Sequence, residues 1–286
     1  MKQVTVLSGK GGTGKTSLVG AFASLEAEKV MADCDVDASN LHLLLDPEVR
    51  EEHDFKAFQT AEIDPSRCRN CGLCTSKCRF DAIKDCEVDA LHCEGCGVCK
   101  LVCPHNAVRM VDKSSGKAFV SSTRHGMLSH ARLKPGEEAS GKLVTVVREN
   151  ARRVAEEHGV GLIILDGSPG IGCPVIASIG GADLALVVAE PTVSGVHDMK
   201  RVLDVTDHFK VKALVCVNKS DINPGKTTEI REYCGDRGVG FAGMVPYSRS
   251  FTEAMIERKT IVEYGDGELV KSVERIWDEV KRNLGG

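Results

Sequence analysis

Eight residues constrain the fold of this chain more than any others: Gly9-Lys10-Gly11-Gly12-Thr13-Gly14-Lys15-Thr16. They follow the apolar, β-like run Val4-Thr5-Val6-Leu7 and precede a stretch of helical character from Thr16 to about Glu28. The pattern G-x-x-x-x-G-K-S/T between a strand and a helix is that of a phosphate-binding loop. Glycines let the backbone turn its N–H groups toward phosphate oxygens, and the following helix adds the positive end of its dipole. Gly11, Gly12, Thr13 and Gly14 are expected to form the cradle. Lys15 would meet the β- and γ-phosphates, and Thr16 would ligate Mg2+, with Ser17 beside it. Gly9, Gly11 and Gly14 also satisfy the spacing of a dinucleotide-binding turn, with Asp33 where a ribose-binding acid would fall. That reading has no use for Lys15 and Thr16, nor for a second acidic strand end at Asp166, and the triphosphate reading is preferred.

The rest of the chain supplies a matching scaffold. Of its 286 residues, 42% are hydrophobic and 27% charged, ordinary values for a globular protein. From Gly141 onward, helical segments alternate with short Val/Ile/Leu runs. Helices are expected at 142–158, 193–209, 227–234 and 268–284, and strands at 161–166, 182–189, 211–218 and 239–245. With a second strand at 29–33, this pattern predicts an α/β protein: a doubly wound, mostly parallel sheet covered on both faces. A turn is expected at 113–116 and a loop over 133–138.

Acidic strand ends complete a candidate nucleotide site. The run Leu162-Ile163-Ile164-Leu165 ends in Asp166-Gly167-Ser168-Pro169-Gly170, where an acid could hold the Mg2+ water shell beside a switch loop. The second strand ends Asp33-Cys34-Asp35-Val36-Asp37, and one of these acids could orient the attacking water. Asn218, at the end of a later strand, suits the edge of a purine base.

Together these segments resemble the MinD/ParA/Mrp ATPases and the nitrogenase iron protein. The resemblance rests on Lys10 within the glycine loop, on Asp33-Cys34-Asp35 with Asn40-Leu41, on Asp166-Gly167-Ser168-Pro169-Gly170-Ile171, and on Glu190-Pro191-Thr192. It covers about 210 residues, 1–63 and 141–286. It implies an ATPase that forms a homodimer around two MgATP, with Lys10 reaching the partner's phosphates. It also implies Asp35 as the water-activating acid, and Thr16, Asp35 and Asp166 around the Mg2+.

The second constraint is cysteine. Nine of the 13 cysteines lie between Cys68 and Cys103. Cys68-x2-Cys71-x2-Cys74-x3-Cys78 recurs 25 residues later as Cys93-x2-Cys96-x2-Cys99-x3-Cys103-Pro104, and Gly72, Ala82 and Ile83 recur as Gly97, Ala107 and Val108. This resembles a bacterial ferredoxin with two 4Fe–4S clusters, in which each run lends its fourth thiolate to the other cluster. Cys68, Cys71, Cys74 and Cys103 would then hold one cluster, and Cys78, Cys93, Cys96 and Cys99 the second. Zinc ribbons use pairs of C-x2-C rather than two runs of four. Arg79 replaces the proline of the motif without touching ligation, and Cys86 has no matching position and reads as a spare thiol. Residues 64–112 thus form an inserted ferredoxin-like domain, 1–63 with 141–286 the discontinuous ATPase domain, and 113–140 a connecting segment. Cys173, in the second switch, is expected to pack rather than bridge two copies.

A nucleotide switch joined to an electron carrier suggests that ATP-driven rearrangement of a homodimer gates electron transfer through the clusters to a redox or iron–sulfur partner. The alternatives are a cluster carrier or assembly ATPase of the Mrp type, which eight committed ligands argue against, and a positioning ATPase like MinD or ParA. Lys+Arg 37 against Asp+Glu 41 gives no basic field for nucleic acid. The terminal helix carries four charges of each sign beside one apolar side, which suits packing on the sheet better than lipid. No amino-terminal run resembles an export signal, so a cytoplasmic protein is expected.

Overall fold

The computed structural model describes residues 1–135 and 140–285. In chain order its elements are β1 (Lys2–Ser8), α1 (Lys15–Leu25), β2 (Val30–Asp33), α2 (Leu41–Leu45), β3 (Glu48–Ile63), α3 (Leu73–Lys77), β4 (Ile83–Lys84), β5 (Glu87–Val88), α4 (Val98–Val102), β6 (Val108–Thr123) and β7 (Gly126–Leu133). There follow α5 (Ser140–Glu157), β8 (Leu162–Pro169), α6 (Cys173–Ile179), β9 (Leu184–Ala189), α7 (Val193–His208), β10 (Lys212–Asn218), α8 (Pro224–Arg237), β11 (Gly240–Val245), α9 (Ser250–Ile256), α10 (Ile261–Tyr264) and α11 (Gly267–Leu284). Two compact units contain them: Met1–Glu52 with Ala118–Arg132 and Ser140–Gly286, and His53–Lys117 with Leu133–Ala139.

One sheet of nine strands runs in the order β11-β10-β9-β1-β8-β2-β7-β6-β3. Strand β1 is its hub, parallel to β8 on one side and β9 on the other, with Val4 opposite both Ile164 and Leu184. Strand β2 is parallel to β8, which sets Asp33 beside Asp166. Three strand ends, those of β1, β2 and β8, therefore open on one edge, where such sheets bind ligands.

Alternation along each buried strand feeds two cores. On one face Val4, Val6, Leu184, Leu186 and Val188 pack with α1 and α11, and Trp277 stacks on Phe22 at 4.8 Å between ring centres. On the other, Leu7, Ala185, Val187 and Ala189 pack with Val175, Met199, Leu203 and Ile230 of α6, α7 and α8. The apolar stripe of α11, from Leu269 to Leu284, is buried in the first core rather than left for lipid. No helix among the described residues is long and apolar enough to cross a membrane.

Two features depart from expectation. Strand β6 runs unbroken through 113–116, where Lys113-Ser114-Ser115-Gly116 suggests a turn. The turn lies instead at Arg124-His125, joining β6 to β7 as a hairpin. Burial alternates irregularly along β6, which hides the period of two. Strand β3 escapes a composition-based reading because it is crowded with Glu48, Arg50, Glu51, Glu52, His53 and Asp54. It forms the outer edge of the sheet, where charge is tolerated and discourages pairing with other chains. The loop expected over 133–138 lies partly outside the described residues.

The hairpin carries a pH-sensitive group. His130 stacks on Phe119 and its Nε2 bonds the Ser121 hydroxyl at 2.9 Å. Burial, then the nearby His42 and Arg132, push its imidazole down to about 4 from 6.5. The unfolded chain takes up this proton first as pH falls, so its contribution to stability is constant above about 6.5 and declines toward pH 4. The contribution lost is of the order of 3 kcal/mol. His130→Gln should flatten this difference in urea titrations between pH 6.5 and 4; an unchanged pH dependence would refute it.

Candidate functional site

Strand β1 is buried and parallel-paired on both sides, so it delivers the glycine loop rigidly to the open edge of the sheet. Gly12 and Gly14 take φ values of +78° and +86°, which a side chain would strain. A methyl on Gly14 would also lie 2.2 Å from the Asn218 amide nitrogen. That amide donates to the Thr13 carbonyl at 2.7 Å and so ties β10 to the loop. Space around Gly11 and Gly12 is open. Thr16 and Ser17 lie half-buried in the first turn of α1.

At the centre Lys15 is buried and paired with Asp166 Oδ1, while Asp35 Oδ2 stands 3.8 Å from its ammonium. Burial alone would lower the lysine, but Asp166, Asp35 and Asp33 hold it above its ordinary value. Asp33 is pushed up to about 7 by burial and by Asp166, against the Ser39 hydroxyl that donates to it at 2.6 Å. Asp35 is raised by burial and by Asp166, with Lys15 opposing. The cluster therefore carries more negative charge than one lysine balances. Asp166 Oδ2 and Thr13 Oγ1 are among the buried polar atoms, of the described residues, that lack a hydrogen-bond partner. A buried carboxylate oxygen with no donor is costly in a dry interior and suits a cation and its water shell. The residues present fit Mg2+ with a polyphosphate.

A second charge network flanks the loop. Glu190, at the end of β9, receives Lys10 and Lys219, both at 3.0 Å. Lys10 Nζ also donates to Thr192 Oγ1 and Ser194 Oγ at 3.2 Å, and Lys219 Nζ to the Gly12 carbonyl at 3.0 Å. Burial would raise Glu190, but the two lysines hold it below its ordinary value. Beside Gly14 and Ser17 opens a cavity of about 240 Å3, lined also by Asn218, Pro246, Tyr247, Phe251 and Thr252. The segment 246–252 carries no motif, and only the fold brings it beside Asn218.

The cysteine unit is built as a structural repeat. Gly72 and Gly97, with φ of +71° and +74°, cap the five-residue helices α3 and α4, and Cys78 and Cys103 end them with nearly equal backbone angles. Cys68 N–H donates to Asp64 and Cys93 N–H to Asp89, each at 3.0 Å. Two cavities result. One is lined by Cys68, Cys71, Cys74, Cys86 and Cys103, the other by Cys78, Cys93, Cys96 and Cys99. The fourth sulfur of each run thus faces the cavity of the other. The Ala107 N–H, 3.3 Å from the Cys103 sulfur, is the main cause holding that thiol below its ordinary value. No three His, Cys, Asp or Glu among the described residues converge on one point that could hold a single metal ion. A four-iron cube needs its thiolates farther apart than a tetrahedral ion does, and the two walls carry five and four cysteines. Cys173 is exposed at the start of α6, rather than packed as expected from the sequence.

Comparison with known proteins agrees with this frame. The chain is 35% identical over 224 residues to Uncharacterized protein MJ0578 of Methanocaldococcus jannaschii, which spans 77% of this chain and 79% of that one. The fold is similar to the septum site-determining protein MinD complexed with Mg-ADP from Pyrococcus horikoshii, with a TM-score of 0.61, 15% identity, and coverage of 99% and 97% of the two chains. It is also similar to the MinC:MinD cell division protein complex of Aquifex aeolicus, with a TM-score of 0.58, 17% identity, and coverage of 100% and 97%. Residues 4–261 match the CobQ/CobB/MinD/ParA nucleotide binding domain, and the chain belongs to that family.

Proposed function

We propose that this chain binds and hydrolyses ATP with Mg2+ as a homodimeric switch, and that its cysteine unit holds two 4Fe–4S clusters. The observation that carries the switch reading is the buried Lys15–Asp166 pair beside Asp35 and the unpartnered Asp166 oxygen. Lys15 is stored on a carboxylate that it can exchange for β- and γ-phosphate oxygens. Asp166 would then be free to hold the water shell of a cation that Thr16 would also ligate. Mg2+ would supply neutralisation of phosphate charge there. Asp35, raised by burial at the edge of the cluster, is placed to position the attacking water. The cavity at Asn218, Pro246 and Tyr247 would receive the base. Lys10, held on Glu190 within its own chain, is the group that the family resemblance sends to a partner's phosphates. A dimer would therefore require this bond to open.

The comparisons favour the positioning-ATPase alternative, since several of the similar structures are MinD cell-division proteins, and they lend nothing to electron transfer. A second reading is supported by the two cysteine-lined cavities, one for each predicted ligand set. Clusters bound there would supply one-electron redox chemistry. In this reading nucleotide state gates electron passage to a redox partner. A change in reduction potential or reoxidation rate on adding MgATP separates it from the first.

Lys15→Ala should abolish nucleotide binding in calorimetry. It should also cost the protein about 3 kcal/mol without nucleotide, because buried Asp33 and Asp166 and half-buried Asp35 lose their counter-charge. Tight ATP binding by this variant would contradict the assignment. Asp35→Asn should still bind ATP but hydrolyse it about 100-fold more slowly; wild-type turnover would remove Asp35 from the water-positioning role. Anaerobically purified protein should hold about eight irons per chain, and an iron-free protein that resists reconstitution would end the two-cluster reading.

A further inference from the structure

The two cysteine cavities are not equivalent. Cys86 lines the first beside Cys68, Cys71, Cys74 and Cys103, whereas the second has four cysteines. The sequence repeat does not account for this extra sulfur. Displaced by the 25-residue period, Cys86 falls on Val111 and Asn70 on Gly95. The difference therefore involves a thiol and the side chain that holds it. The Cys86 Sγ donates to Asn70 Oδ1 at 2.9 Å, and the Cys68 Sγ reaches the same oxygen at 3.6 Å. The two sulfurs can be no farther apart than those two hydrogen bonds laid end to end.

Cys86 holds this place against its backbone preference. Asp85 and Cys86 are the central residues of the β4–β5 hairpin, with Lys84 paired to Glu87 and φ values of +49° and +62°. Glycine takes the second position of such a turn without strain, whereas a residue with a Cβ is disfavoured there. At this position the cysteine adds a fifth sulfur to a wall that already has four.

We propose that Cys86 is a reserve ligand of the first cluster site, able to take the place of Cys68 when that sulfur is lost or released. The inference rests on the two-cluster reading of the cysteine unit. The exchange is redox-neutral: one iron–thiolate bond forms, one breaks, and the proton leaving Cys86 passes to the departing Cys68 sulfur. Among the described residues the second site has no such substitute.

The full-length chain, purified anaerobically and reconstituted with ferrous iron and sulfide, tests this by iron count and by EPR of the reduced protein. Wild type and Cys86→Ser should each hold about eight irons. Cys68→Ser should also hold about eight, with an altered signal from one cluster, whereas Cys93→Ser and Cys68→Ser/Cys86→Ser should hold about four. A Cys68→Ser protein with only four irons, a double variant that keeps eight, or a Cys86→Ser protein with only four overturns the proposal. A second readout needs no loss of an assigned ligand: Cys86→Ser should release iron to a chelator several-fold faster than wild type, and equal rates count against it. Wild type without iron instead removes the two-cluster reading itself, an outcome distinct from all of these.

Discussion

The Lys15–Asp166 ion pair joins the glycine loop to the end of a neighbouring strand, and the nucleotide-site geometry is organised around it. Burying a lysine beside three carboxylates is unfavourable unless the charges are matched, and in this cluster they are not. The acids outnumber the cation, Asp33 is pushed up to about 7, and one oxygen of Asp166 has no donor. Such a cluster is held in place by its surroundings. Parallel pairing of β1, β2 and β8 fixes the backbone of all three strand ends, so the side chains cannot spread apart to relieve the repulsion. A cation and a polyphosphate would relieve it by supplying the missing positive charge and a new partner for the lysine. The strain of the nucleotide-free state and its affinity for ligand are in this view one property.

The Glu190 network extends the same logic. One carboxylate holds Lys10 and Lys219, and through Lys219 it reaches the Gly12 carbonyl of the loop. A phosphate arriving at Gly12 would compete for the charges that Glu190 now restrains. Release of Lys10 and reorganisation of the loop are then linked, which is the coupling an assembly switch requires.

Much of this was legible in the sequence. The loop, the acidic strand ends and the α/β alternation follow from short motifs and from strands buried along runs of Val, Ile and Leu. Trp277 and its neighbours in α11 announce their packing by spacing alone. What remained hidden is non-local. Residues 246–252 have no local pattern, and their place beside Asn218 follows from parallel pairing of β10 and β11, which sets Asn218 opposite Val245. Charged β3 carries no alternating apolar pattern, because an edge strand is stabilised by its neighbour rather than by its own burial. Cys86 reads as spare because a repeat in sequence cannot show which turn brings a side chain back to a cavity. The crossing of Cys78 and Cys103 between cavities was legible through resemblance to ferredoxins, and not through spacing.

The proposed exchange moves Lys15 from Asp166 to a nucleotide phosphate. A crystal structure of the full-length protein with Mg2+ and a non-hydrolysable ATP analogue measures this directly. The account predicts the Lys15 ammonium on β- and γ-phosphate oxygens, the Asp166 carboxylate turned to the metal's water shell, and Lys10 detached from Glu190. A bound nucleotide with the Lys15–Asp166 pair intact would contradict it.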